Sequence, residues 1–163
     1  MSRVYIGVGT NLGDRIANYR RAVKEIGELE GTRVMRQSSV YENEPHGRAR
    51  NWFLNGVLEI DTELDPKELL KALKKIETAM GRKKEAGKKS ISRVIDLDIL
   101  LFDSSVIEER TLKIPHPEMQ ERKFVLLPLS EMAPQYKHPG LGTTISHLLV
   151  ACKDEQKIHL YKH

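Results

Sequence analysis

The sequence predicts an α+β fold: a ferredoxin-like antiparallel sheet core with helices packed on one face and an elaborated ligand-binding face on the other. Three observations predict it. Four or five short segments are apolar or alternate with the two-residue period of strands. Two longer segments, Ile16 to Leu29 and Leu69 to Met80, carry apolar residues at helical spacing. Their early order, strand–helix–strand–strand–helix–strand, is that of the ferredoxin-like motif. At 163 residues the chain reads as a single domain, 1–163, able to bury about two-thirds of its extended-chain surface without staples.

Arg3 to Val8 is the first strand, and it runs into a glycine-rich stretch, Gly7 to Asp14, suited to a sharp turn or a close backbone approach. That stretch lacks the Gly-Lys-Ser/Thr ending of a phosphate-binding loop and has no Rossmann spacing. Asp14 is placed to cap a helix with the stripe Ile16, Tyr19, Val23, Ile26 and Leu29, which ends at Gly31. Thr32 to Tyr41 reads as one moderately polar strand, and Glu42 to Asn51 as a loop broken by Pro45 and Gly47. Trp52 to Asp61 is the next strand, with Leu54, Leu58 and Ile60 on one face and Phe53, Asn55, Val57 and Glu59 on the other. An aromatic beside an amide suits a flat heterocycle; a second apolar layer, with Asn55 bonded to nearby backbone, is the alternative. Asp65-Pro66-Lys67-Glu68 starts the second helix with a capping box and Pro at its first position, and Gly81 stops it. Glu77, beside the buried stripe near the helix end, is opposed by the macrodipole, so a ligand or Arg82 is its expected partner.

Arg82 to Ser92 reads as an exposed loop, and from Arg82 to Arg93 there are six cations against the single acid Glu85. Net charge is a modest +4, so this cluster points to a local anionic ligand and does not require nucleic acid. The strand Arg93 to Phe102 follows, with Ile95, Leu97, Ile99 and Leu101 expected to face the core and Asp96 and Asp98 together on the other face. Carboxylates two residues apart on one face, Cα atoms roughly 6.6 Å apart, need a positive partner. Either a divalent cation, such as Mg²⁺ shared with substrate phosphates, or a wet face paired with Arg93 and nearby lysines supplies it. After a turn at Asp103 to Ser105 and a short Val106–Ile107 strand, prolines 115 and 117 hold His116 from both sides. Phe124 to Met132 is a short apolar helix or turn, Thr143 or Thr144 caps a last helix, and Ile158 to Tyr161 is an edge strand. Cys152, the single cysteine, rules out an internal disulfide framework and reads as a passive small side chain. With no apolar leader and no 18-residue apolar run, a cytoplasmic protein that meets no membrane is expected.

Taken together, these segments resemble the 6-hydroxymethyl-7,8-dihydropterin pyrophosphokinases of folate biosynthesis. The resemblance rests on Gly7 to Leu12, Ser38-Ser39-Val40-Tyr41, Phe53-Leu54-Asn55, Ile76-Glu77 with Gly81-Arg82, Arg93 to Phe102, Pro115-His116, and Arg122 with Phe124. It implies an enzyme, an ATP-dependent pyrophosphokinase that passes pyrophosphate from ATP to the pterin hydroxymethyl group and releases AMP. It implies two Mg²⁺ ions held by Asp96 and Asp98, and a pterin site formed by Asn43, Phe53, Asn55, Asp96 and Phe124. It further implies ATP contacts from Glu77, Arg82, Arg93, His116 and Arg122, with Arg82, Arg93, Asp96 and Asp98 as the catalytic set. The expected partners are therefore the small molecules ATP and a reduced hydroxymethylpterin, met by a monomer, with no nucleic acid.

The chain departs from the family pattern in three places. Ser90-Ile91-Ser92 stands where Trp-Gly-Pro is common, Asn43 to Gly47 replaces a Thr-Pro-Pro-Leu-Gly type of segment, and Pro117 replaces an aromatic. Two other classes fit the residues alone. One is a different metal-dependent nucleotidyl-transfer or cyclising enzyme on a ferredoxin-like sheet. The other is a small RNA-binding module, which would want exposed aromatics on two adjacent strands where this chain has Phe53 beside acids.

Overall fold

The computed structural model describes residues 1–45, 51–81 and 94–162. In chain order the elements are β1 (Ser2–Thr10), α1 (Arg15–Gly27), β2 (Thr32–Gln37), β3 (Tyr41–Asn43), β4 (Phe53–Thr62), α2 (Pro66–Ala79) and β5 (Asp96–Phe102). They are followed by β6 (Ile107–Glu108), β7 (Lys113–Ile114), a 3-10 turn (Met119–Glu121), α3 (Lys123–Met132), α4 (Ile145–Ala151) and β8 (Ile158–Leu160). The sheet is antiparallel throughout, in the order β5-β1-β4-β3-β8, and β2 pairs with β4 beyond the end of β3. The βαββαβ core therefore has the ferredoxin-like order β5-β1-β4-β2.

Both long helices start where their caps dictate. The Asp14 carboxylate accepts from the Ala17 amide at 3.2 Å. At α2 the capping box is complete: Glu68 N–H donates to Asp65 at 2.8 Å, and Asp65 N–H donates to Glu68 at 3.1 Å. The stripes of α1 and α2, including Tyr19, Ala22, Ile26, Leu69, Leu73 and Ile76, bury against Val4, Ile6, Leu54, Leu58 and Ile60 on one face of the sheet. Each fully buried aliphatic there contributes about 1.5–3 kcal/mol. Tyr19 is a packing residue: its phenol lies over Gly56, and a Cβ at that glycine would collide with the hydroxyl.

The opposite face carries a second core. Val125, Leu126 and Leu129 of α3 and Ile145 and Leu148 of α4 cover Tyr5, Val57, Leu100 and Leu101. That face is consequently closed where the two helices lie and open beyond them.

Several boundaries differ from the sequence reading. The strand expected from Thr32 to Tyr41 breaks at Ser38–Val40, where the Ser38 hydroxyl accepts from Val57 N–H at 2.8 Å in place of a ladder bond. The expected loop from Glu42 onward begins with β3, because Tyr41 to Asn43 pairs with β4 and with β8. β1 runs on through Gly7 and Gly9 to Thr10, so the turn starts later. Alternation alone puts Leu101 on the face of Ile95, Leu97 and Ile99, yet it lies in the second core beside Leu100. A register shift between Tyr5 and Ile6 in the β1–β5 pairing explains it: the extra residue in β5 reverses the alternation beyond Ile99. The expected exposed loop, Arg82 to Ser92, lies outside the described residues, as does Arg93.

Candidate active site

The open part of the second face has a floor without side chains. Gly7 and Gly9 sit on the central strand, and the register sets Asp98–Gly7–Val57 in one row and Asp96–Gly9–Asn55 in the next. Residues on either side of the glycines therefore look across an empty strip. The result is a cavity of about 250 Å³ lined by Gly7, Gly9, Asn43, Phe53, Asn55, Val57, Asp96, Asp98, Leu100, Arg122, Phe124 and Val125. A Cβ at Gly9 would come within 2.7 Å of the Asn55 side-chain oxygen. Glycine is required there by close approach within a strand.

The two walls differ in character. On the β4 side, Asn55 is buried and its amide nitrogen donates to the Asn43 side-chain oxygen, while Asn43 donates to the Glu44 carbonyl at 3.2 Å. This pairing fixes which end of the Asn55 amide is free to read a ligand. Phe53 and Phe124 supply aromatic surface to the same cavity, and the Arg122 guanidinium lies 5.7 Å from the Phe124 ring.

On the β5 side, Asp96 is half-buried and Asp98 exposed. Among the described residues no group of three or more His, Cys, Asp or Glu side chains could hold a metal. Two carboxylates on this wall fit a hard cation that would take its remaining ligands from phosphate oxygens and water.

The back of β5 is tied down where an edge strand is otherwise unsatisfied. The buried Glu77 carboxylate accepts from Leu97 N–H at 3.1 Å, and His116 N–H donates to the Leu100 carbonyl at 3.0 Å. Burial lowers the His116 pKa, against the nearby Asp98 charge, which raises it; Arg122 lowers it further. Its Nδ1 accepts from Glu118 N–H at 3.2 Å, which leaves Nε2 to carry the proton of the neutral ring. Arg122 forms an ion pair with Glu118.

Residues 5–134 match the family model of the 7,8-dihydro-6-hydroxymethylpterin-pyrophosphokinases. This chain belongs to that family. The 2-amino-4-hydroxy-6-hydroxymethyldihydropteridine pyrophosphokinase of Methylorubrum extorquens is 41% identical over 135 residues, covering 82% of this chain and 84% of that protein. The Aquifex aeolicus protein of the same name is 41% identical over 140 residues, covering 85% of each. The folic acid synthesis protein fol1 of Schizosaccharomyces pombe is 42% identical over 136 residues; the match covers 83% of this chain but 18% of that longer protein. Among solved structures, Plasmodium falciparum HPPK-DHPS with pteroate superposes with a TM-score of 0.74 at 18% identity, over 92% of this chain and 42% of that one. That last likeness is one of fold. Membership of the family makes the chain an ATP-dependent pyrophosphokinase acting on hydroxymethylpterin.

The cavity gathers Asn43, Phe53, Asn55, Asp96, Asp98, Arg122 and Phe124 from the residues singled out in the sequence. His116 stands beside it, near Asp98 and Arg122. Glu77 does not line it; it sits behind β5, bonded to the amide between the two aspartates. Arg82 and Arg93 lie outside the described residues. The sequence reading allowed a close backbone approach from Gly7 onward, which Gly9 makes, but did not see that Gly7 and Gly9 form the floor of the site. Its signal was available, since two glycines at alternate positions of an otherwise apolar strand leave one face bare. No helix among the described residues is long and apolar enough to cross a membrane.

Proposed function

We propose that the chain transfers the β,γ-pyrophosphoryl group of ATP to the hydroxymethyl oxygen of 6-hydroxymethyl-7,8-dihydropterin and releases AMP, acting as a monomer with two Mg²⁺ ions at Asp96 and Asp98. A bond forms between the pterin oxygen and the β-phosphorus, the bond from the β-phosphorus to the oxygen bridging it to the α-phosphorus breaks with that oxygen leaving on AMP, and the hydroxyl proton passes to solvent. The observation that carries this reading is the convergence of an amide–aromatic wall and a two-carboxylate wall on one glycine-floored cavity.

In this reading the pterin ring lies between Phe53 and Phe124, and the Asn55 amide, oriented by Asn43, reads its polar edge. Asp96 and Asp98 hold the metal from one strand face. A divalent cation held there would supply neutralisation of phosphate charge and make the attacking hydroxyl more acidic. Phosphoryl transfer asks mainly for alignment and charge neutralisation, so no dedicated protein base is needed. Arg122 takes phosphate oxygens, and Nε2 of His116 donates to another. Arg82 and Arg93 are assigned to the polyphosphate, and Glu77 to the nucleotide side, from the family resemblance. Apolar Val57, Leu100 and Val125 keep water from the reacting hydroxyl.

The test mixes the protein with ATP, Mg²⁺ and the reduced hydroxymethylpterin and follows AMP, free pyrophosphate and the pterin product. Pterin-dependent AMP with pterin pyrophosphate and no free pyrophosphate is expected. ADP, or AMP formed equally without the pterin, overturns the reading.

A further inference from the structure

Away from the cavity, one cation touches both ends of the segment that carries the pterin-side wall. Arg15, the first residue of α1, forms an ion pair with Glu42 of β3 at 2.6 Å. Another nitrogen of the same guanidinium donates to the Trp52 carbonyl at 2.9 Å. Glu42 precedes Asn43, and Trp52 precedes Phe53. Asn43 and Phe53 are register partners across β3 and β4, and both line the cavity. The guanidinium therefore bridges the two strand ends from the side opposite the ligand.

The chain's last strand completes this arrangement. β8 pairs with β3, setting His159 opposite Glu42. His159 Nε2 lies 2.9 Å from the second Glu42 carboxylate oxygen, and its ring is 5.6 Å from that of Trp52. The Arg15 guanidinium lies 5.9 Å from the Tyr161 ring centre. Next along the chain, Lys157 N–H and the Gln156 side chain bond Glu44, at 2.9 Å each. β3 has three residues and few ladder bonds, so side-chain ties decide whether it keeps its register.

We propose that Arg15 is a positioning residue for the pterin-side wall: by holding Glu42 and Trp52 together it keeps Asn43 and Phe53 in the geometry that binds the pterin. The proposal rests on the assignment of this cavity to the pterin. A fork with fixed geometry can serve a carboxylate and a carbonyl at once, which a lysine ammonium on a flexible stem does less well. Where the binding-competent register is populated only in part, apparent affinity falls by the same fraction. Loss of the clamp therefore weakens pterin binding while the helix-covered core stays intact. ATP, placed toward β5, is largely spared.

The test titrates the full chain with a non-hydrolysable ATP analogue in Mg²⁺, then with the hydroxymethylpterin on the analogue-loaded protein, for wild type, Arg15→Ala, Arg15→Lys, Glu42→Gln and the Arg15→Ala/Glu42→Gln pair. Arg15→Ala is expected to weaken the pterin about tenfold and the analogue less than about twofold, with Arg15→Lys in between. The double variant is expected to fall short of the two single effects combined, because both changes break the shared Arg15–Glu42 contact, while each also removes one of its own, to Trp52 or to His159. Pterin affinity within twofold of wild type in Arg15→Ala, equal weakening of both ligands, or additive effects would overturn the clamp. Should Arg15→Ala not fold, Glu42→Gln carries the same contrast: pterin weakened more than the analogue supports the clamp, and equal effects overturn it. A wild-type protein that does not bind the pterin at all defeats the cavity assignment itself; normal wild-type binding with an unaffected Arg15→Ala defeats only the clamp.

Discussion

Two sets of carboxylates occupy the same face of the same sheet, and the chain treats them in opposite ways. Glu59 on β4 is buried and fully engaged: Arg36 donates to both its oxygens at 2.9 Å, and the Tyr5 hydroxyl donates at 2.7 Å. Asp98 on β5, one row beyond in the β1 register, is exposed, and among the described residues no ion pair reaches it. A carboxylate that welds a fold together is supplied with its cations by the chain. Asp98 is instead held in place through the backbone of its strand and faces solvent. Glu77 and His116 do the holding, each bonded to the main chain of β5.

The largest effect should come from the two aspartates of β5. Asp96→Ala or Asp98→Asn is expected to cut turnover by about 10²–10³-fold, the scale on which one preorganised stabiliser of transition-state charge is felt. The melting temperature of Asp98→Asn should hold or rise, since that change removes one of two like charges on the strand face. Steady-state turnover in Mg²⁺ beside a thermal melt checks both. A folded variant with near-normal turnover would erase the distinction between the two sets.

Glu59→Gln should do the reverse. Its pKa is lowered from the usual 4.5 to about 2, chiefly by the Arg36 hydrogen bonds. A carboxylate with a depressed folded pKa contributes stability that is complete above the unfolded value and is lost as pH falls from about 4.5 toward 2. Every tenfold gain in acidity on folding is worth about 1.4 kcal/mol, but Arg36 is half-exposed and screened, which brings the contribution to about 2 kcal/mol. Denaturant melts at pH 7 should show Glu59→Gln destabilised by about that amount, with the difference from wild type shrinking below about pH 4. Turnover per folded molecule should be unchanged; a fall to the level of the aspartate variants would make Glu59 part of the site.

How much of this was legible in the sequence follows from the range over which each feature is determined. Caps and stripes are local, so Asp14, Asp65 and Glu68 located both long helices correctly. Asp96 and Asp98 were legible because alternation needs no partner. Leu101 was not, because a bulge is set by the neighbouring strand. Glu77 looked misplaced against the helix macrodipole; its compensation is an amide twenty positions on, a contact set by how α2 lies along β5. Nothing in the sequence singled out Arg15, and Glu42 opened an expected loop; their ion pair depends on the pairing of β3 with both β4 and β8, which local pattern does not reveal.

The smallest effect tests the glycine strip that lies between the acids and the amide. An alanine Cβ at Gly9 would stand 2.7 Å from the Asn55 oxygen, whereas one at Gly7 would meet the Leu100 side chain at 3.5 Å, an ordinary contact. Asn55 is already paired with Asn43 and cannot yield without breaking that bond. Gly9→Ala is therefore expected to cost about 1 kcal/mol of pterin binding, about fivefold in affinity, with a nucleotide affinity close to wild type. Gly7→Ala intrudes on the floor without touching the amide, so the two alanines separate lost space from lost orientation. If calorimetry finds them equal, the floor matters only as volume; if Gly9→Ala alone weakens the pterin, the Asn55 amide is the part of this wall that reads the ring.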